Sequence, residues 1–215
     1  MKFNILFFVF MTIGLVIIAQ SDTVIKTPIY TSYYSMNLKA PLMVTYKLVN
    51  GGGKCSRTGM NFKLDSAFKK TAHPIDYKES GFDKGHLANA EDFASNCKME
   101  ELTFRYYNCF PQTPDLNRGS WAVLEEKIRD LSQNNDTLFV LTGGFYNNRK
   151  IGNGVSVPDT CWKLVYHLRT KTYKSCTIFT NTNDPFQKEL NPVVLNVILK
   201  QRYNLDITKI IKKTN

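Results

Sequence analysis

Histidine is scarce in this chain, with three among 215 residues, so a histidine-rich metal cluster is excluded. The five cysteines (Cys55, Cys97, Cys109, Cys161 and Cys176) include no C-x-x-C spacing, which argues against a structural zinc site. Their odd number leaves at least one thiol unpaired within a monomer, and spacing alone does not reveal the pairing. No repeat, low-complexity tract or Pro/Ser-rich linker interrupts residues 22–215. That span reads as one domain, long enough to bury a substantial core. Acidic residues are outnumbered, 18 against 28 Lys and Arg, for a formal net charge of +10. A basic surface suits a polyanion such as nucleic acid, anionic lipid or acidic polysaccharide, although solubility alone would also account for it. The excess is spread along the chain. Only the C-terminal KIIKK resembles a cluster, and a solvated helix end explains that equally well.

A spanning helix needs about 20 apolar residues. The apolar run from Ile5 to Ala19 is shorter and lacks a basic stop-transfer flank. Lys2 before it and Ala19-Gln20-Ser21 after it give the pattern of a signal peptide over residues 1–21. A retained N-terminal anchor is the alternative. Removal of the segment implies a secreted or periplasmic protein with no stable membrane association, in a compartment where disulfides form.

Residues 41–49 (PLMVTYKLV) have strand composition and stop at three glycines, while residues 54–81 look irregular. Residues 102–110 (LTFRYYNCF) read as a strand ended by Pro111. In residues 120–132, apolar Trp121, Leu124, Ile128 and Leu131 recur at helical spacing, with Ser120 as candidate N-cap. Residues 137–142 form a buried-type strand closed by Gly143-Gly144. Residues 162–168 and 173–180 suggest a hairpin, and 192–203 a helix opened by Pro192. Several strands with few helices indicate an α+β domain.

The chemistry concentrates in two stretches. GFDKGHLANAEDF (81–93) sets His86 beside Gly85 and among charges, which suits a proton acceptor but also an ordinary surface turn. Asn117, Trp121, Glu125 and Arg129 follow at i,i+4, so one helical stripe carries an amide, a carboxylate and a guanidinium. A surface Glu125–Arg129 ion pair is the plainer account of that stripe. Asn108, at the end of an apolar stretch, either hydrogen-bonds a turn or projects into a cleft beside Asn117.

Three segments in order, DKGH (83–86), NCFPQ (108–112) and LNRGSWAVLE (116–125), resemble the signature of the DNA/RNA non-specific endonuclease family. Weaker similarity runs through SRTGMNFKLD, LTGGFY and VSVPDTCWKLV, covering most of residues 40–180. The resemblance implies a ββα-metal (His-Me finger) fold, with a central, mainly antiparallel sheet flanked by helices. It also implies hydrolysis of phosphodiesters in DNA and RNA with little sequence specificity. His86 would then be the general base, and Asn117 the direct ligand of Mg2+ or alternatively Mn2+. Glu125 would act through metal-bound water, Arg129 and Arg57 would contact phosphate, and Asn108 would position the site. Lys84 stands where the family carries arginine, keeping the charge but losing the planar fork. An inhibitor protein and a homodimer are further partners the resemblance implies. A catalytically inactive polyanion binder, or a toxin or effector nuclease with a cognate inhibitor, are the competing readings.

Overall fold

Stretches rich in β-branched and aromatic residues build the scaffold of the protein, seen in a computed structural model that describes residues 22–214. The signal-peptide reading of residues 1–21 lies outside the described residues. Strands β1 (Thr23–Lys26), β2 (Tyr30–Ser35), β3 (Ala40–Leu48), β6 (Leu138–Ile151), β7 (Val155–His167), β8 (Thr172–Thr180) and β9 (Gln187–Glu189) form one seven-stranded sheet in the order β1-β2-β3-β6-β7-β8-β9. Every pairing in it is antiparallel. Two further strands, β4 (Asp83–His86) and β5 (Cys109–Gln112), make a separate ladder. The helices are α1 (Pro74–Tyr77), α2 (Cys97–Leu102), α3 (Trp121–Leu131), α4 (Pro192–Tyr203) and α5 (Ile207–Thr214). Among the described residues no helix is long and apolar enough to cross a membrane.

Both faces of the large sheet are covered, so its central strands are apolar on alternate residues in both directions. Val44, Tyr46, Val140, Val165 and Phe179 pack against Phe110 of β5 and Trp121 and Ile128 of α3. The alternate set, Met43, Phe139, Leu141 and Leu164, packs against Leu195 and Leu199 of α4 and Ile207 and Ile211 of α5. The β4–β5 ladder and α3 therefore lie on one face of the sheet, and α4 and α5 on the other.

The strand over 41–49, the 162–180 hairpin and the Pro192 helix occur where the sequence places them. Other expectations fail for identifiable reasons. Residues 102–110 are not one strand: Leu102 ends α2, Tyr106–Asn108 form a 3-10 turn, and the strand begins only at Cys109. The aromatics there are buried in loop packing, which mimics strand composition. Gly143-Gly144 do not close β6, which runs on to Ile151. They allow close approach instead, since a Cβ on Gly143 would stand 2.2 Å from the Leu42 carbonyl oxygen. Ser120 makes no side-chain cap, because the wide turn Leu116–Ser120 already extends the helix backwards and leaves no free end to cap there.

Candidate active site

The β4–β5 ladder pairs Asp83 with Gln112 and His86 with Cys109, which fixes DKGH on a rigid strand. Gly85 is demanded by packing, because a Cβ there would lie 1.8 Å from Gln112 Oε1. The His86 ring sits against Phe62 and Phe104, with centroids 4.7 and 4.8 Å away. Its Nε2 is buried without a hydrogen-bond partner among the described residues, while the residue as a whole stays part-exposed. Burial, then the positive charges of Arg57 and Lys163, push its pKa down to about 3. The imidazole is accordingly neutral at physiological pH. Asn108 is fully buried beneath it. Its Oδ1 accepts from the Ala88 amide at 2.9 Å, and its Nδ2 donates to the carbonyls of Ala88 and Thr103 at 2.9 and 2.8 Å. Asn108 thus pins the backbone just beyond His86 and does not project into the cleft beside Asn117.

Facing this strand, the Leu116–Ser120 turn has π-type hydrogen bonding, and Gly119 departs from helical geometry (φ −103°, ψ −114°). Such widened turns aim side chains that a regular helix would misdirect. The Asn117 Nδ2 donates to Asp83 Oδ2 at 2.9 Å. Arg118 grips the same carboxylate with two bonds of 2.8 and 2.7 Å. Burial pushes the Asp83 carboxyl up, but the bonds from Arg118 and Asn117 outweigh it and hold the group below its usual range. With its nitrogen committed, Asn117 keeps a carbonyl oxygen that accepts from no donor among the described residues. The other two amides each use their oxygen within the chain: Asn89 Oδ1 accepts from the Glu91 amide, and Asn108 Oδ1 from that of Ala88.

Glu125 and Arg129 do not pair with each other. Glu125 Oε1 accepts from Lys163 Nζ at 2.8 Å, and its Oε2 accepts from Asn89 Nδ2. Lys163 of β7 is fully buried, with Nζ 4.5 Å from the centre of the Trp121 ring. Arg129 Nη1 donates to Asp92 Oδ1 at 3.0 Å, and the Tyr46 hydroxyl donates to Asp92 Oδ2 at 2.8 Å. Burial and the neighbouring Glu125 carboxylate push the Asp92 carboxyl up to about 6, against Lys163, Tyr46 and Arg129. Arg57 comes from the irregular segment before α1. A Cys55–Cys97 disulfide and a 3.1 Å bond from the Cys55 amide to the Ala94 carbonyl hold that segment down. Its guanidinium lies 3.2 Å from Glu91 Oε2 and 3.8 Å from Glu100 Oε1.

One cleft of about 540 Å³ collects Arg57, His86, Asn89, Asn117, Glu125 and Arg129. Lys84 is not among its lining residues. Its ammonium lies 5.8 and 5.7 Å from the ring centres of Phe62 and Tyr77, so it acts as a buttress behind the histidine. Sequence reading missed Asn89, Asp92 and Lys163. Lys163 carried a usable signal: Cys161, Lys163 and Val165 share one face of an apolar strand, where a lone charge calls for a buried partner.

A short antiparallel ladder bearing a histidine, followed by a helix that presents an amide and a carboxylate across one cleft, is the ββα-metal arrangement on an α+β scaffold. Comparison with known proteins narrows the class. The family model described as DNA/RNA non-specific endonuclease matches residues 16–204, and the chain belongs to that family. A nuclease from Nostoc sp. is 35% identical over 124 residues, covering 55% of this chain and 45% of that protein. The mitochondrial endonuclease G of Bos taurus is 32% identical over 131 residues, covering 59% and 44%. The chain thus spans less than half the length of these two relatives in the matched regions. Among solved structures, an EndoG/EndoGI complex contains a chain that superposes with a TM-score of 0.66 at 23% identity, over 83% of this chain and 82% of that one. That likeness supports the shared fold.

Proposed function

We propose that this protein is an exported, metal-dependent endonuclease that hydrolyses phosphodiester bonds in DNA and RNA with little sequence preference. One observation carries the proposal: a neutral imidazole with an unpartnered nitrogen shares a cleft with a free amide oxygen and an immobilised carboxylate. Among the described residues no group of three or more His, Cys, Asp or Glu could hold a metal. The donors present fit a hard cation that keeps most of its waters. Asn117 Oδ1 would be the direct ligand, and each Glu125 oxygen has lone-pair capacity left, after its single protein donor, to accept from metal-bound water. When bound, Mg2+ or Mn2+ would supply Lewis-acid compensation for charge on the phosphate and the departing 3′ oxygen.

The remaining roles follow from the chain itself. His86 takes a proton from the attacking water as the P–O bond to that water forms and the P–O3′ bond breaks. A pKa near 3 describes the empty cleft; a phosphate anion against the ring favours its protonated form and makes it a stronger base. Arg129 and Arg57 exchange part of their pairing with Asp92 and Glu91 for phosphate oxygens. Contacts limited to the backbone make binding sequence-blind and salt-sensitive. The Cys55–Cys97 disulfide supports export to an oxidising compartment. The solved EndoG relative is bound to an inhibitor; by extension, we propose an inhibitor protein as a partner here and a homodimer as the assembly.

Plasmid nicking by purified protein, with magnesium titrated and with EDTA, tests the reading. Metal-dependent nicking is expected. Retained DNA binding without nicking at any magnesium concentration refutes catalysis and favours an inactive binder.

A further inference from the structure

A second concavity, of about 750 Å³, opens on the face of the sheet away from the cleft. Five lysines line it: Lys26 from β1, Lys47 from β3, Lys200 from α4, and Lys209 and Lys213 from α5. Asp206 is the single acidic residue in the lining, and it lies 3.3 Å from Lys200 Nζ. Among the described residues Lys26, Lys47, Lys209 and Lys213 form no ion pair. All four are exposed. Lys47 follows Met43 and Thr45 on the strand side that packs towards α4 and α5, and Lys209 and Lys213 are one helical turn apart. Thr31, Thr45 and Asn204 add neutral donors between them. The trough and the catalytic cleft have no lining residue in common.

The charge balance of the two concavities runs in opposite directions. Arg57 and Arg129 in the cleft are offset by Glu91, Glu125 and Glu126, whereas the trough carries four lysines that no carboxylate among the described residues neutralises. Holding like charges together in one concavity costs stability unless a polyanion compensates, and lysine ammonium groups are point-charge partners for phosphate. We infer that the trough is an exosite for the phosphate backbone of nucleic acid. It holds a distant stretch of a long substrate, or a second duplex, while the cleft engages the scissile bond. The nuclease reading supplies only the identity of this occupant.

The quadruple substitution K26Q/K47Q/K209Q/K213Q tests the inference without touching the cleft. In a His86→Ala background, binding of a long duplex is measured against salt concentration. Affinity should fall about tenfold or more at low salt, and the salt slope should drop by about one for each phosphate that a lysine no longer neutralises. With His86 intact, kcat/KM should fall on plasmid DNA and stay unchanged on a short oligonucleotide that fills the cleft alone. Unchanged duplex affinity and salt slope overturn the exosite. So does a variant that loses binding only to vesicles of anionic phospholipid, which would make the trough a membrane contact. A wild type that cleaves nothing, together with a variant that loses duplex binding, would sink the nuclease reading and leave the exosite standing.

Discussion

The cleft and the lysine trough are two concavities of one domain, and both gather basic side chains whose charges do different work. Lys163 and Arg129 in and beneath the cleft are tied to carboxylates within hydrogen-bond distance, and Arg57 lies against Glu91 and Glu100. Those charges shape the site and have little left to attract a distant ligand. In the trough only Lys200 has such a commitment among the described residues, to Asp206, so the other four lysines act at the range of the Debye length, about 8 Å at physiological salt. Charge count alone therefore says little about function; what decides is whether each charge already has a partner.

The largest expected loss is at the cleft histidine. His86→Ala should lower plasmid nicking by about 10²- to 10⁴-fold, the usual worth of a positioned base, while duplex affinity stays within a few-fold. Near-wild-type turnover would remove His86 from the mechanism. Next in size is Lys163→Met, which strands the Glu125 carboxylate in a buried site and should cost about 3–5 kcal/mol in denaturant unfolding. Adding Glu125→Gln should recover much of that loss, and simple additivity of the two would show that the pair is not coupled. Opening the Cys55–Cys97 link with C55S/C97S should cost about 2–4 kcal/mol. It should also raise KM more than it lowers kcat, because Arg57 loses its anchor.

The pH response is gentler and more diagnostic. An unfolded imidazole takes up its proton near pH 6.5, whereas the folded one resists until about 3. His86 therefore contributes stability that is full above 6.5 and drains away as pH falls towards 3. Asp92 works in the other direction: its carboxyl is raised to about 6, so its contribution weakens as pH climbs from about 4 to 6. Melts of His86→Gln between pH 3 and 6.5 should fall less steeply than those of the wild type, and parallel curves would contradict the buried neutral ring. The smallest effect belongs to Lys84→Arg. A guanidinium keeps the charge over Phe62 and Tyr77, so activity should stay within a few-fold. A large loss would show that the ammonium reaches further than its aromatic cradle.

Much of the site was legible because its chemistry sits in short, ordered motifs. His86, Asn117, Glu125, Arg129 and Arg57 do share one cleft. What remained hidden depended on long-range packing. Asn89 lies only three residues past His86, yet its bond to Glu125 spans 36 residues. The Glu125–Arg129 pairing suggested by i,i+4 spacing gave way to Lys163 and Asp92, which the tertiary structure brings closer. The fold followed the same pattern. Periodic helices and the apolar strands were readable, whereas β1, β2 and α5, and the loop-like run from Phe104 to Asn108, take their form from what they pack against.

The outermost strands of the large sheet have a practical consequence. β1 has four residues and β9 has three, and β9 is exposed throughout. Stubs this short give an approaching chain too few open amides and carbonyls to zip onto. Concentrated solutions should therefore resist fibril growth, and a version with either terminal stub lengthened by apolar residues should clump on storage.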